Sequence, residues 1–215
     1  MTDEFVRALG AFKDERLAPI VGAGRTSLAE TSSGDPQQLL QVALANEIAV
    51  SELAAIWMPS TREIDVKLAF ARQAGDEASH FQLVAERLTA LGFDVASFAP
   101  ASNPMFEYLR GLDSTVQRVA AGLFTLESIA YAVNENFIEF CLRRDDLETV
   151  RIYREYIQPD ERAHQKLGQR LLAKYATTPE SQHAARETVT TLLAIAAQAR
   201  DKAAIKYGTA CVPGC

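Results

Sequence analysis

A five-residue pattern occurs twice in this chain, 84 positions apart: Asp76-Glu77-Ala78-Ser79-His80 and Asp160-Glu161-Arg162-Ala163-His164, each followed by a leucine three residues on, Leu83 and Leu167. On a helix, residues three apart are separated by about 60° of rotation and one turn of rise, so a Glu carboxylate and a His imidazole project together and can grip one metal ion. Both copies lie in long segments of apolar periodicity. The chain therefore has to hold two helices with their acid and imidazole faces turned to a shared interior, and two such helices would supply two ions. Only three histidines are present, and two of them occupy this position.

Two motif helices leave the coordination incomplete, because a further carboxylate is needed from each of two partner helices. Segment 35–58 opens with Asp35-Pro36, an N-cap followed by proline at the first helical position, and carries Leu40, Leu44, Val50, Ala54 and Trp57 on an apolar stripe. Pro59-Ser60 is expected to end it, with Ser60 and Glu63 forming a capping box for a second helix that stops at Leu91-Gly92. Residues 93–103 form a long connection, and Asn103-Pro104 starts a short helical turn interrupted at Gly111. A third helix is expected from about Ser114 to Arg143. A fourth, opened by a capping box of Asp145 and Glu148, reaches about Tyr175, and Thr178-Pro179 begins a fifth that runs to about Tyr207. The expected division is a short helix and Ser/Gly-containing linker over 1–34, a helical domain over 35–207 and a tail over 208–215.

Residues facing each other across an antiparallel helix pair lie about equally far from the connecting turn, and this selects the partner acids. Pairing Glu127 with Glu161 puts the midpoint at Arg144, inside the expected turn, whereas Glu135 or Glu139 moves it into the following helix. Pairing Glu47 with Glu77 puts the midpoint at Arg62; Glu52 is the fallback ligand, since periodicity alone does not separate the two. The expected ligand set is Glu47, Glu77, His80, Glu127, Glu161 and His164. Four carboxylates and two imidazoles balance two divalent cations, and mixed oxygen and nitrogen ligation suits iron or manganese better than magnesium or calcium.

This set resembles the ferritin-like di-iron carboxylate superfamily, which includes bacterioferritin, rubrerythrin and di-iron oxygenases. The resemblance covers about residues 36–175. The superfamily form is Glu, then Asp/Glu-Glu-x-Arg-His, then Glu, then the same again; this chain keeps the acid-Glu-x-x-His twice but has Ser79 and Ala163 where arginine would stand. The resemblance implies an all-α fold: a ferritin-like antiparallel four-helix bundle with one long crossover, plus a C-terminal fifth helix. It also implies two iron ions per chain, with manganese or a mixed iron–manganese pair as the alternative. Asp76 and Asp160 would hydrogen-bond the non-ligating nitrogen of a histidine across the bundle. Tyr131, one turn from Glu127, would be a hydrogen-bond donor or redox participant behind the ligands.

The function implied is a non-haem dinuclear oxidase or oxygenase using dioxygen on a small organic substrate. No rubredoxin-like Cys-x-x-Cys pair is present, so electrons are expected from an external donor. The alternatives are a bacterioferritin-like ferroxidase, which needs a cage of subunits where an oxygenase would be a monomer or symmetric homodimer, and a peroxide-scavenging di-iron or di-manganese protein. Gly75 and Pro159 each stand two residues before a ligand glutamate, and a kink or bulge at 155–159 with a cavity reaching the metals from that side is expected.

The formal charge of −6 and the lack of an evident basic stripe exclude a nucleic-acid surface from the expectation. No apolar run appears long enough for a membrane span, and Asp3, Glu4 and Arg7 do not make a signal peptide, so no membrane association and a cytoplasmic location are expected. Three cysteines fit a reducing compartment: Cys141 in a helical segment, Cys211 and Cys215 in the tail.

Overall fold

The computed structural model describes residues 2–30, 35–100, 103–207 and 213. Every regular element among them is helical. Helix α1 is Thr2–Glu30, α2 is Pro36–Ser60, α3 is Ile64–Ala90 and α4 is Pro104–Arg110, with a 3-10 turn at Val95–Ser97. Helix α5 covers 115–142 and changes pitch within itself: Thr115–Val119 and Glu127–Leu142 are α-helical, and Ala120–Leu126 between them is π-helical. Helix α6 covers 147–175, with a π-helical segment at Tyr153–Ile157 between Leu147–Ile152 and Gln158–Tyr175. Helix α7 is Pro179–Tyr207.

The helix starts follow local chemistry. Asp35 accepts a hydrogen bond from Gln37 N at 2.9 Å ahead of Pro36, Asn103 accepts one from Met105 N at 3.0 Å ahead of Pro104, and Ser114 with Gln117 forms a reciprocal capping box. Two expected caps sit elsewhere. Ser60 belongs to the last turn of α2, because Thr61 N–H still reaches Trp57 O at 3.1 Å, and Glu63 makes no side-chain cap but accepts from Thr115 Oγ1 at 2.6 Å. Asp145 adopts φ 58°, so the cap of α6 falls to Asp146, which accepts from Thr149 N at 3.1 Å and from Arg87 at 2.8 Å.

The segment before α2 was expected to be a short helix and is instead one 29-residue helix. Its buried stripe runs through Leu9, Lys13, Leu17, Ile20, Gly24 and Leu28. Lys13 and Gly24 interrupt the apolar pattern, which is why the periodicity reads weakly. Helix α2 departs from expectation too: by length and composition it is apolar enough to cross a membrane. Here its side chains Leu39, Leu40, Leu44, Val50, Leu53 and Trp57 are buried against the rest of the protein.

Helix α2 packs along α3, α5 packs along α6, and α1 and α7 cover the α5–α6 side. The interior holds two apolar cores. One gathers Val50, Trp57, Phe70, Leu123, Phe124 and Leu172; the other gathers Leu40, Leu44, Val84, Phe137, Phe140 and Tyr153. On α2, α3 and α6 the expected ligands lie in sequence between residues of one core and residues of the other, so a polar layer is sandwiched between them. Cys141 is a free, buried thiol in the second core, and burial holds it well above the usual thiol range. Cys211 and Cys215 lie outside the described residues.

Candidate metal centre

All six expected ligands converge in that layer. Two groups form, Glu47, Glu77, His80 and Glu161, and Glu77, Glu127, Glu161 and His164; within each, the potential ligand atoms lie within 4.8 Å of one another. Glu77 and Glu161 belong to both groups, which places them between the two positions. The four carboxylates are fully buried, and each histidine is 1% exposed.

The histidines are oriented by acids from the opposite motif helix. His80 Nε2 lies 3.3 Å from Asp160 Oδ2, and His164 Nε2 lies 3.0 Å from Asp76 Oδ2. Each ring thereby turns Nδ1 inward: His80 Nδ1 stands 3.3 Å from Glu77 Oε2 and 3.5 Å from Glu47 Oε2, and His164 Nδ1 stands 3.5 Å from Glu77 Oε1 and from Glu127 Oε1. In the neutral ring, an Nε2–H donated to that carboxylate would leave the Nδ1 lone pair facing the layer, the tautomer a metal requires.

The buried acids and imidazoles shift one another's ionisation. Burial, and then the charge of Glu127, raises the carboxyls of Glu77 and Glu161 well above the ordinary range. Burial opposes ionisation of Glu127 as well, but hydrogen bonding from Glu161 and the charge of His164 outweigh it, lowering this group to about 2. For His164, burial is outweighed by Glu127, Glu77 and Asp76, and the imidazole rises to about 9. His80 is likewise raised, by Asp160, Glu47 and Glu77 against burial.

This donor set could hold metal. Both oxygens of Glu47, Glu77 Oε1 and His164 Nδ1 are buried without any hydrogen-bond partner. Leaving ionised carboxylates so placed costs several kcal/mol apiece, and cations within the layer would remove that cost.

Other expected residues lie outside the layer. Glu52 points outward, its side chain 60% exposed and 3.8 Å from Arg110. Glu135 and Glu139 also face out. Tyr131 is half-buried, its hydroxyl accepting from Arg162 Nη2 at 2.9 Å, so it belongs to the outer face of α5 and α6. The backbone irregularity expected at 155–159 takes the form of the π-helical turn at Tyr153–Ile157, whereas α3 runs through Gly75 unbroken. A cavity of about 540 Å³ does border Pro159, but none of the six cluster residues lines it. This cavity therefore stops short of the six residues that it was expected to reach.

Two contributors were missed by the sequence reading. Gln73, one turn before Glu77, is buried and donates through Nε2 to Glu127 Oε1, and Gln165 Nε2 donates to Glu127 O at 2.9 Å. Gln73 shares the buried stripe of α3 with Val66, Ala69 and Phe70; a glutamine on an apolar stripe is the signal that would have marked it. The π-helical segment before Glu127 has no such signal.

A family profile described as a protein of unknown function, DUF455, matches residues 37–205. The chain belongs to the DUF455 family. The match takes in all four helices that supply the cluster. No curated protein and no solved structure matches the chain.

Proposed function

We propose that this DUF455 protein is a dinuclear metal oxidoreductase of the ferritin-like kind. In this reading it holds two iron ions and reacts with dioxygen. The observation that carries it is the six-residue layer of four buried glutamates and two acid-oriented histidines, with unpartnered donor atoms facing one another. Two helix pairs, α2–α3 and α5–α6, joined by the long stretch around α4, support assignment to the one-crossover bundle, with α7 as the added helix.

Glu47, Glu77, His80 and Glu161 would hold one ion, and Glu77, Glu127, Glu161 and His164 the other. Asp160 and Asp76 hold the imidazoles in the ligating tautomer. Such a pair, when bound and reduced, supplies two electrons to dioxygen. The apolar cores on either side exclude bulk water from the layer. Enclosure also limits direct reactants to small molecules, so a substrate larger than dioxygen requires a helix to move.

A second reading is ferroxidase activity, in which iron is itself the substrate. It is favoured by Glu47, whose two oxygens have no hydrogen bond and are free to shift as an ion passes. Anaerobic reconstitution with ferrous iron, followed by metal analysis, oxygen-uptake measurement and size-exclusion chromatography, tests both. We expect two ions per chain, dioxygen consumption without a mineral core, and a monomer or dimer. Replacing both His80 and His164 with alanine should abolish stoichiometric binding; retention of two ions by that variant would overturn the assignment. A cage holding hundreds of irons would favour storage.

A further inference from the structure

The outer face of α6 carries cations at successive four-residue steps, Arg154, Arg162, Lys166 and Arg170, with Gln158 filling the remaining step. Together with Tyr131 and Glu135 of α5 they line the elongated surface groove of about 540 Å³. From Arg154 to Arg170 the row extends roughly 24 Å at the helical rise, more than a small anion needs. The sequence reading expected no basic stripe, because the cations are spread among other residues along the chain and meet only on the helix face.

Their pairing is poor. Arg154 lies 3.9 Å from Glu139, Arg162 is engaged by the ring and hydroxyl of Tyr131, and Lys166 and Arg170 have no acidic partner among the described residues. Like charges four residues apart destabilise a helix by a few tenths of a kcal/mol per pair. A row that opposes helix stability, on a chain of formal charge −6, calls for an outside partner of opposite charge.

We propose that this groove docks an acidic one-electron carrier protein of the iron–sulfur type. The inference rests on the dinuclear reading above. The groove lies on the outer face of the helix whose inner face presents Glu161 and His164; Ala163, between these two, is in its lining. A carrier seated there is separated from the centre by about one helix diameter, roughly 10 Å. Each docking oxidises one reduced carrier and returns one ferric ion to ferrous, so two dockings reset the pair.

Lys166→Glu is a suitable probe because it replaces two repulsive four-residue pairs, to Arg162 and Arg170, with attractive ones, so the helix is retained. The test uses a plant-type [2Fe–2S] ferredoxin, titrated calorimetrically against metal-free and iron-loaded protein at low and high salt, and stopped-flow reduction of the iron-loaded protein. We expect salt-sensitive binding by the wild type and a roughly tenfold slower association for Lys166→Glu. The Lys166→Glu/Arg170→Glu double variant should lose the salt dependence. Lys202→Glu on α7, which changes the overall charge equally away from the groove, should behave as wild type, and dithionite should reduce all variants alike. Wild type that does not bind ferredoxin, or variants that bind it equally well, overturn the proposal. So does binding of a transfer-RNA-sized RNA that the same variants abolish. Failure to hold iron or to be reduced by dithionite refutes the dinuclear reading instead, and ferredoxin binding to metal-free protein still reports on the groove.

Discussion

Gln73 holds one oxygen of Glu127, while Glu47, in the corresponding place on the other side of the layer, has no hydrogen bond on either oxygen. The two groups of potential ligand atoms are thus unequal in how firmly their carboxylates are fixed. Outer hydrogen bonds of this kind are worth about 10- to 100-fold in metal affinity. Gln73→Leu should therefore weaken one of two binding steps by that factor and leave the other unchanged, as read by ferrous or cobaltous titration calorimetry. Equal weakening of both steps would assign Gln73 a general structural role. Glu47 and Glu127 were legible in the sequence because equidistance from a turn is a property of the backbone. The surroundings of Tyr131 were not, since periodicity gives the face of a helix but not where a long side chain finds its hydroxyl partner, here Arg162.

At Gly168, α6 packs directly on the backbone of α5. A methyl group at that position would stand 2.7 Å from the backbone carbon of Leu123 and 2.8 Å from the nitrogen of Phe124, within the π-helical segment of α5 that leads to Glu127. Backbone cannot rotate away as a side chain can, so Gly168→Ala should cost about 1–3 kcal/mol, seen as a fall of several degrees in melting temperature. It should also weaken metal binding, because α6 carries Glu161 and His164 and would have to back away from Glu127. Helix starts were readable at Asp35, Asn103 and Ser114, where a side chain caps the end. The wide turns were not: a π-helical turn adds one residue to a ring, and an apolar stripe absorbs that shift without a visible break. Pro159 was the exception, because it lacks an N–H and must disturb the ladder upstream of itself.

Across the whole molecule the polar layer between two apolar cores makes stability depend on what neutralises it. Glu77 and Glu161 have raised carboxyls, so without metal their contribution is full below the ordinary carboxylate range and is lost as pH rises through their folded values. His164, raised to about 9, loses its contribution as pH rises through that value. Glu127, lowered to about 2, acts oppositely and loses its contribution as pH falls from about 4.5 towards 2. The metal-free protein should therefore be most stable in mildly acidic solution and melt at progressively lower temperature as pH is raised. Metal-loaded protein should lose this alkaline decline, because ions take the place of the protons. Melting curves of both forms between pH 4 and pH 9 check this, and parallel profiles would count against a charged layer. The helical class and the pairing of α2 with α3 and of α5 with α6 were legible from the doubled motif and the short turns. The extent of α1 was not, since Lys13 and Gly24 stand on its inward stripe.

His80 takes its acid from α6 and His164 takes its acid from α3. The exchange has a consequence for the order in which the molecule matures. Each ring's Nε2 meets its carboxylate only on the other half of the chain, so a nascent or half-folded chain presents rings whose Nε2 is not yet held. If the layer holds metal as proposed, both histidines are held for it only once the two halves have met, which ties capture to the assembly of the whole bundle.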